Sequence, residues 1–156
     1  MKKMRVTRRI EWQNVAKRAM KLSAYDARDA VDANGETQFV SNRMTDSDLP
    51  AVEEWTREAA HILESRMAPV LTCDGEYDEV GVTWSVIHDC KGNGFVKSAE
   101  EALAAWVLSQ WFANRQTAMS ERYAGVWANM SLAAVKLLKV RKRPVRPVED
   151  AGEDDD

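Results

Sequence analysis

Hydrophobic residues recur at helical spacing in four stretches of the chain. The first stretch runs from about Ile10 to Ala24, with apolar residues on one side and cations on the other. The second begins within residues 45–50, because Thr45 or Ser47 can cap a helix there and proline is tolerated in a first turn. Its apolar stripe ends at Pro69. We therefore predict two amphipathic helices in the first half of the chain.

The hydrophobic period changes from helical to two after Pro69. Four apolar residues occur at every second position: Val80, Val82, Trp84 and Val86. They alternate with Gly81, Thr83, Ser85 and Ile87, which is typical of a β-strand. The shorter segment Val70 to Cys73, followed by Asp74-Gly75, is a credible first strand for a hairpin whose second strand is Glu79 to His88. A lone hairpin is marginal in water, so we expect it to pack on the helices or pair with another copy.

Two further helices are predicted in the second half. Ser98 and Glu101 form a capping-box pattern that predicts the start of the third helix, and residues 102–113 leave almost no polar face, so this helix should be central. Thr117 or Ser120 starts the fourth. Its expected apolar stripe consists of Met119, Tyr123, Val126, Met130, Ala133 and Leu137, joined by Trp127, Ala134 and Leu138.

The pattern as a whole predicts a mainly α protein. We expect a four-helix bundle with a β-hairpin inserted between helices 2 and 3 and an extended C-terminal arm. Residues 1–9 would form a basic N-terminal arm and residues 10–140 the helical domain, with the hairpin at about 70–89. Residues 141–156 would form an extended tail, first basic and then acidic, because Pro144 and Pro147 favour an extended backbone and the charges oppose burial.

Charge is segregated along the chain although the net charge is only -3. Lys2 to Lys21 carries eight cations and one acid, and Lys136 to Arg146 carries six cations and no acid. Such segments favour phosphate backbones or acidic protein surfaces, but the net charge argues against a dedicated DNA-binding domain. The candidate contacts with DNA or a neighbouring subunit are Arg5, Arg8, Arg9, Lys17, Arg18 and Lys21.

Little in the sequence indicates catalysis, a cofactor or a metal. Cys73, His88 and Cys90 supply three ligands at best, at a spacing unlike that of a structural zinc site. A nucleophilic cysteine activated by histidine has little support either, because no oxyanion hole is visible in the sequence. His61 is interpreted as a partly buried structural residue. Two cysteines, no secretory signal and no membrane-length apolar run indicate synthesis in the cytoplasm and no membrane association.

The order of landmarks resembles a family of small phage and prophage head-tail connector proteins of Bacteroidales-type phages. The landmarks span about Val15 to Pro147 and occur in this order: Val15-Ala16-Lys17, Lys21 to Tyr25, Thr45 to Asp48, Trp55 to Ala59, Trp111-Phe112, Tyr123-Ala124, and Lys136-Leu137-Leu138 to Arg141-Lys142-Arg143-Pro144. The chain departs from the family in its long acidic end and in Leu132 to Val135, where a more charged helix is expected.

The resemblance implies a virion protein of the phage neck, without catalysis or cofactor, made in the host bacterial cytoplasm. Such adaptors form a ring of identical subunits, commonly twelve, beneath the portal protein, and contact a tail or stopper protein. The expected partner-binding segment is the C-terminal arm, which consists of Lys139, Val140, Arg141, Lys142, Arg143, Pro144, Val145, Arg146 and Pro147. Weak contact with passing DNA would be compatible with this role.

Two alternatives remain open from the sequence. One is another neck or tail-completion protein, which would differ from an adaptor in the partner it binds. The other is a small nucleic-acid-associated helical module that uses the basic segments at both ends, whose binding would weaken steeply as salt rises.

Overall fold

The computed structural model describes residues 6–27, 43–86 and 92–139 of the chain. Its helices are α1 (Trp12–Ala27), α2 (Leu49–Met67), α3 (Gly92–Phe112) and α4 (Thr117–Leu138). Its strands are β1 (Val6–Glu11), β2 (Glu76–Tyr77) and β3 (Gly81–Val86). Short 3-10 turns precede and follow α2, at Asp46–Asp48 and Ala68–Val70. The predicted mainly α fold with four helices and a hairpin between helices 2 and 3 is confirmed.

A third strand, β1, comes from the N-terminal segment. It pairs antiparallel with β3, from Val6 opposite Val86 to Glu11 opposite Gly81, so that β3 is the middle strand of a β1-β3-β2 sheet. Residues 6–9, which we expected to lie in a basic N-terminal arm, are therefore part of this sheet. Ile10 explains the pairing, because it is fully buried opposite Val82, also fully buried. The charged residues around Ile10 hide this strand in the sequence.

The hairpin turns later in the chain than the sequence suggests. β2 pairs with β3 at Glu76 opposite Thr83 and Tyr77 opposite Val82, so the turn lies at residues 78–80 rather than at Asp74-Gly75. The predicted first strand, Val70 to Cys73, contributes a single bridge between Leu71 and Val86. Of the four apolar residues predicted to alternate in this strand, Val82, Trp84 and Val86 are fully buried, whereas Val80 precedes β3 and is 55% exposed.

Helix α3 is the central element, as predicted. It packs against α1, α2 and α4 and against the sheet strand β1. The four consecutive residues from Ala102 to Ala105 are all buried, which exceeds one helical turn of about 3.6 residues. The helix is thus enclosed on all sides at Ala102 to Ala105, whereas Lys97 in its first half is exposed. Two aromatic contacts join it to α4: Trp106 with Trp127 at 5.3 Å between ring centroids, and Phe112 with Tyr123 at 6.1 Å.

The predicted start of α3 at the Ser98 capping box is wrong. The helix begins at Gly92, so Ser98 lies inside it and cannot cap its N-terminus. Phe95 explains the extra turn, because it is fully buried and meets Trp84 edge-on at 6.1 Å between ring centroids. Apolar burial against the sheet extends the helix through a segment whose glycines and asparagine suggest a loop.

The buried face of α4 is rotated relative to the stripe predicted from its sequence. Within α4, the residues that are buried are Tyr123, Trp127, Ser131, Ala134, Val135 and Leu138. Of the expected main stripe, only Tyr123 is in this set, and Val126 is 36% exposed. The three joining residues Trp127, Ala134 and Leu138 are core residues instead. Apolar residues occur all around this helix, so periodicity alone could not decide which side faces α3.

We expect Gly81→Ala to destabilise the fold because β1 passes too close to Gly81 for a side chain. A Cβ atom at Gly81 would lie 2.1 Å from the carbonyl oxygen of Ile10, a backbone atom that moves only with the strand. We expect a loss of roughly 1–3 kcal/mol in the free energy of unfolding, as for other overpacked sites, measured by urea denaturation. Gly94→Ala is the control, since its Cβ would meet only a side-chain atom of Leu137 at 3.6 Å. Equal effects of the two changes would contradict this account.

Candidate functional site

The loop at Asp78 connects the sheet to two helices. The carboxylate Oδ1 of Asp78 accepts hydrogen bonds from the backbone N–H groups of Val80 and Gly81, each at 2.8 Å. Arg9 on β1 donates to both carboxylate oxygens, at 3.1 and 3.3 Å. The backbone carbonyl of Asp78 accepts from Trp12 of α1 at 3.3 Å and from Arg57 of α2 at 2.9 Å. The turn therefore fixes the relative positions of β1, β3, α1 and α2.

The electrostatics of this loop follow from those bonds. The hydrogen bonds from Arg9 and from the two backbone N–H groups lower the pKa of Asp78 from 3.8 to about 2. The same contact raises the pKa of the Arg9 guanidinium. Arg57 also lies over the Trp12 ring, with its Cζ 5.3 Å from the ring centroid. Asp78, Arg9 and Arg57 therefore all make contacts within the subunit.

A second polar cluster surrounds Glu64 of α2. Its Oε1 accepts hydrogen bonds from the indole Nε1 of Trp84 and from the backbone N–H of Gly75, both at 2.8 Å. Burial, followed by the negative charge of Glu64, raises the pKa of the Tyr77 hydroxyl. The Tyr77 ring stacks on His61 at 4.1 Å between centroids. His61 is exposed rather than partly buried as predicted, and its role here is packing against the tyrosine.

A shallow groove lies between α1, the start of α2 and the loop before β3. Its volume is about 420 Å³. Its apolar lining consists of Trp12, Ala16, Met20, Leu49 and Val80, and its polar lining of Gln13, Lys17, Asp46, Glu53 and Glu79. Leu49 is 38% and Val80 is 55% exposed. The groove has the character of a docking site for an apolar side chain flanked by cations, since three acids and one lysine line it. The groove is not visible in the sequence, because its walls come from three separated segments.

The cations predicted to contact DNA or a neighbouring subunit do not form one surface. Arg8 and Arg9 are adjacent on β1, so their side chains lie on opposite faces of the sheet. Arg9 is paired with Asp78, and Arg18 forms an ion pair with Glu101 of α3 at 2.9 Å. Lys17 and Lys21 are exposed on α1, and Lys17 lines the groove described above. Arg5 lies outside the described residues.

Most of the predicted partner-binding arm also lies outside the described residues. Lys139 is the exception: it is exposed, and its N–H donates to the carbonyl of Lys136 at 3.2 Å. Leu138, the residue before it, is only 2% exposed. Residues 140–147 of the arm therefore follow the core of the protein almost directly.

The candidate metal and nucleophile residues are not brought together in the described part of the chain. Cys73 is exposed, whereas His88 and Cys90 lie outside the described residues. Within residues 6–27, 43–86 and 92–139, no three His, Cys, Asp or Glu side chains are arranged to hold a metal ion.

Comparisons with protein-family models, with curated proteins and with solved structures find no match to this chain. Among the described helices, none combines the length and the apolar character of a membrane span.

We expect the contribution of Asp78 to stability to depend on pH. Its folded-state pKa of about 2 lies below the ordinary value of 3.8, so the stabilisation is present above about pH 4 and is lost as the pH falls towards 2. Urea midpoints of the protein and of Asp78→Asn should differ most above pH 4 and converge on acidification. Asp74→Asn, in an exposed acid of the same segment, is the control. A difference that stays constant with pH would contradict the assignment.

We expect Glu64→Ala to destabilise the protein strongly. The change leaves the Trp84 indole N–H and the Gly75 N–H without their acceptor, and hydrogen bonds to charged groups contribute about 1.5–3 kcal/mol each. The free energy of unfolding should fall by about 2–4 kcal/mol in urea denaturation. Glu58→Ala, in an exposed acid on the same helix, should change it by less than about 0.5 kcal/mol. Similar losses for both variants would rule out a special role for Glu64.

Proposed function

We propose that this protein is a non-enzymatic structural protein of a phage neck: a head-tail connector that forms a ring on the portal protein and joins the capsid to the tail. The family resemblance supplies the role, and the ring would contain twelve copies. Its partners would be other copies of the chain, the portal protein and a tail or stopper protein, with weak contact to DNA. Its location would be the virion neck, after synthesis in the host bacterial cytoplasm.

The observation that carries this proposal is the attachment of the C-terminal arm to the core. Helix α4 packs along the central helix α3 and ends at Leu138, which is buried, and the arm begins at the next residue. A partner that binds residues 139–147 would therefore hold the helical body through a short connection. The arm carries five cations and two prolines in nine residues, a composition suited to extended docking on an acidic surface.

The groove beside α1 supports an assembly role as well. It presents an apolar lining with Asp46 and Glu79 on its polar side, beside Glu53, which is paired with Arg57 at 3.0 Å. A segment that combines valines or prolines with cations is complementary to such a surface. The groove thus adds a second contact region, distant in sequence from the arm, through which a subunit could meet a neck partner.

The nucleic-acid alternative has less support. Of the cations that would contact phosphates, Arg9 and Arg18 are already paired with Asp78 and Glu101. If this alternative were the main role, duplex DNA would bind at low salt and the affinity would fall steeply as salt rises. A different neck or tail-completion role would instead appear as binding to a tail protein without binding to the portal protein.

We expect the arm to be required for portal binding. A chain ending at Lys139 should fold but lose at least about tenfold in affinity for the portal protein of the same phage, equivalent to about 1.4 kcal/mol. A chain ending at Pro147, which lacks only the acidic end, is the matched control and should retain binding. Affinity would be measured by interferometry, and ring formation by negative-stain imaging of the mixture.

Circular dichroism of both truncated chains would confirm that the helical body is intact. A full-length chain that stays monomeric and binds neither portal nor tail proteins would refute the connector proposal. Equal portal binding by the two truncated chains would show that the arm is not the docking segment.

A further inference from the structure

The outward side of α4 lacks charge over most of its length. From Tyr123 to Val135 the helix contains no charged residue, although 30% of the chain is charged. We call the exposed positions of this stretch the α4 outer face; they are Ala124, Gly125, Val126, Ala128, Asn129 and Leu132. Five of the six are apolar or glycine. A surface helix that faces only water normally carries charged and polar residues on its outward side.

Gly125 is the first specific sign that this face meets something outside the subunit. A Cβ atom at Gly125 would have no atom within 4 Å, so packing within the subunit does not require glycine there. Glycine in a helix interior nevertheless lowers helix stability relative to alanine. A glycine with open space above it is suited to the close approach of a side chain from another molecule.

Leu132 provides a side chain of the right kind. It is 53% exposed, and it lies seven residues after Gly125, two helical turns further along the same side of α4. The outer face therefore contains a projecting leucine and, two turns earlier on the same side, a position without a side chain. On one subunit they are too far apart to meet, but on two subunits each could fill the other.

The charged residues that border the α4 outer face are placed symmetrically about its midpoint, as Gly125 and Leu132 are. Glu121 lies before it and Lys136 after it, both exposed and neither in an ion pair with another described residue. Glu121 and Lys136 are equally far from the midpoint between residues 128 and 129, and so are Gly125 and Leu132. When two copies of α4 run antiparallel about that midpoint, Leu132 of one copy faces Gly125 of the other. Glu121 then faces Lys136 at both ends.

We propose that the α4 outer face binds the same face of a second copy of this chain, as an antiparallel helix pair with a two-fold axis between Ala128 and Asn129. An isologous contact of this kind uses the same patch on both subunits. Ala124, Gly125 and Ala128 allow the two helices to approach closely, and the Asn129 side chains flank the axis, where amides can hydrogen-bond to each other. The pairing does not depend on the neck role: a ring in which every subunit faces the portal alike uses head-to-tail contacts, so the two-fold pair would be a state of the chain outside that ring.

The first test is self-association of the full-length chain by sedimentation velocity over a range of concentrations. We expect a reversible monomer–dimer equilibrium. Leu132→Lys places a charge in the contact and should raise the dissociation constant at least about tenfold. Tyr25→Lys, which changes a residue that is 70% exposed on α1, is the matched control and should leave the dissociation constant unchanged.

Gly125→Leu separates pairing from folding. In the monomer the new side chain enters open space on a helix, so the urea midpoint measured at low protein concentration should rise. In the pair it occupies the site of the partner's Leu132, so the dissociation constant should rise at least about tenfold. A variant that is more stable as a monomer and weaker as a dimer cannot be explained by damage to the fold.

A charge exchange tests the antiparallel direction. Glu121→Lys or Lys136→Glu alone should weaken association at low salt, because each variant places like charges opposite each other at both ends of the helix pair. The double variant should restore the dissociation constant to within about threefold of the original, since opposite charges face each other again. In a parallel pair, like residues would face each other and the double variant would give no such rescue.

Three results would overturn the proposal. One is a chain that remains monomeric at the highest concentration reached. Another is a dimer unaffected by Leu132→Lys and Gly125→Leu but abolished in the chain ending at Lys139, which would place the contact in the arm. The third is binding of the α4 outer face to the portal or tail protein instead of to itself, seen as loss of that binding in Leu132→Lys. Loss of portal binding on arm truncation alone would concern the neck proposal and leave the pairing intact.

Discussion

The enclosure of α3 is the constraint on which the rest of the structure depends. A helix with buried residues on every side cannot lie on a surface, so α1, α2, α4 and the sheet must surround it. Apolar burial stabilises this arrangement, at about 25 cal/mol per Å² removed from water. Apolar burial also explains why α3 begins at Gly92, because Phe95 packs beside Trp84. Each surrounding element packs one side against α3. Its opposite side can carry charged residues or contact another molecule.

Polar contacts then set where the surrounding elements sit. The Asp78 turn holds β1, α1 and α2 around the end of the hairpin, and Glu64 holds the Trp84 indole and the loop at Gly75 against α2. Tyr123 of α4 donates a hydrogen bond to Asp26 near the end of α1, and burial, followed by this contact, raises the pKa of the tyrosine. Several charged side chains among the described residues are therefore engaged in contacts within the subunit. Arg9 and Arg18 are the clearest cases, since both are paired within the fold.

Surfaces that the fold does not use carry the functional argument. The groove beside α1, the arm that begins at Lys139 and the α4 outer face are formed by different residues and involve different chemistry. A mixed apolar and acidic groove, a cationic segment and an uncharged helix face suit contacts with other proteins. Exposed apolar surface of this kind is common where proteins contact one another.

Hydrophobic spacing within single segments is sufficient to predict the four helices, the burial of alternate residues in β3 and the central place of α3. It could not determine β1, whose partner strand lies more than seventy residues away and whose cations resemble a solvated arm. It also could not choose the buried side of α4, where apolar residues surround the helix, or join the three segments that line the groove. Pairing register, helix rotation and grooves are properties of several segments in contact. Only the tertiary structure therefore decided that Leu132 and Gly125 face outward.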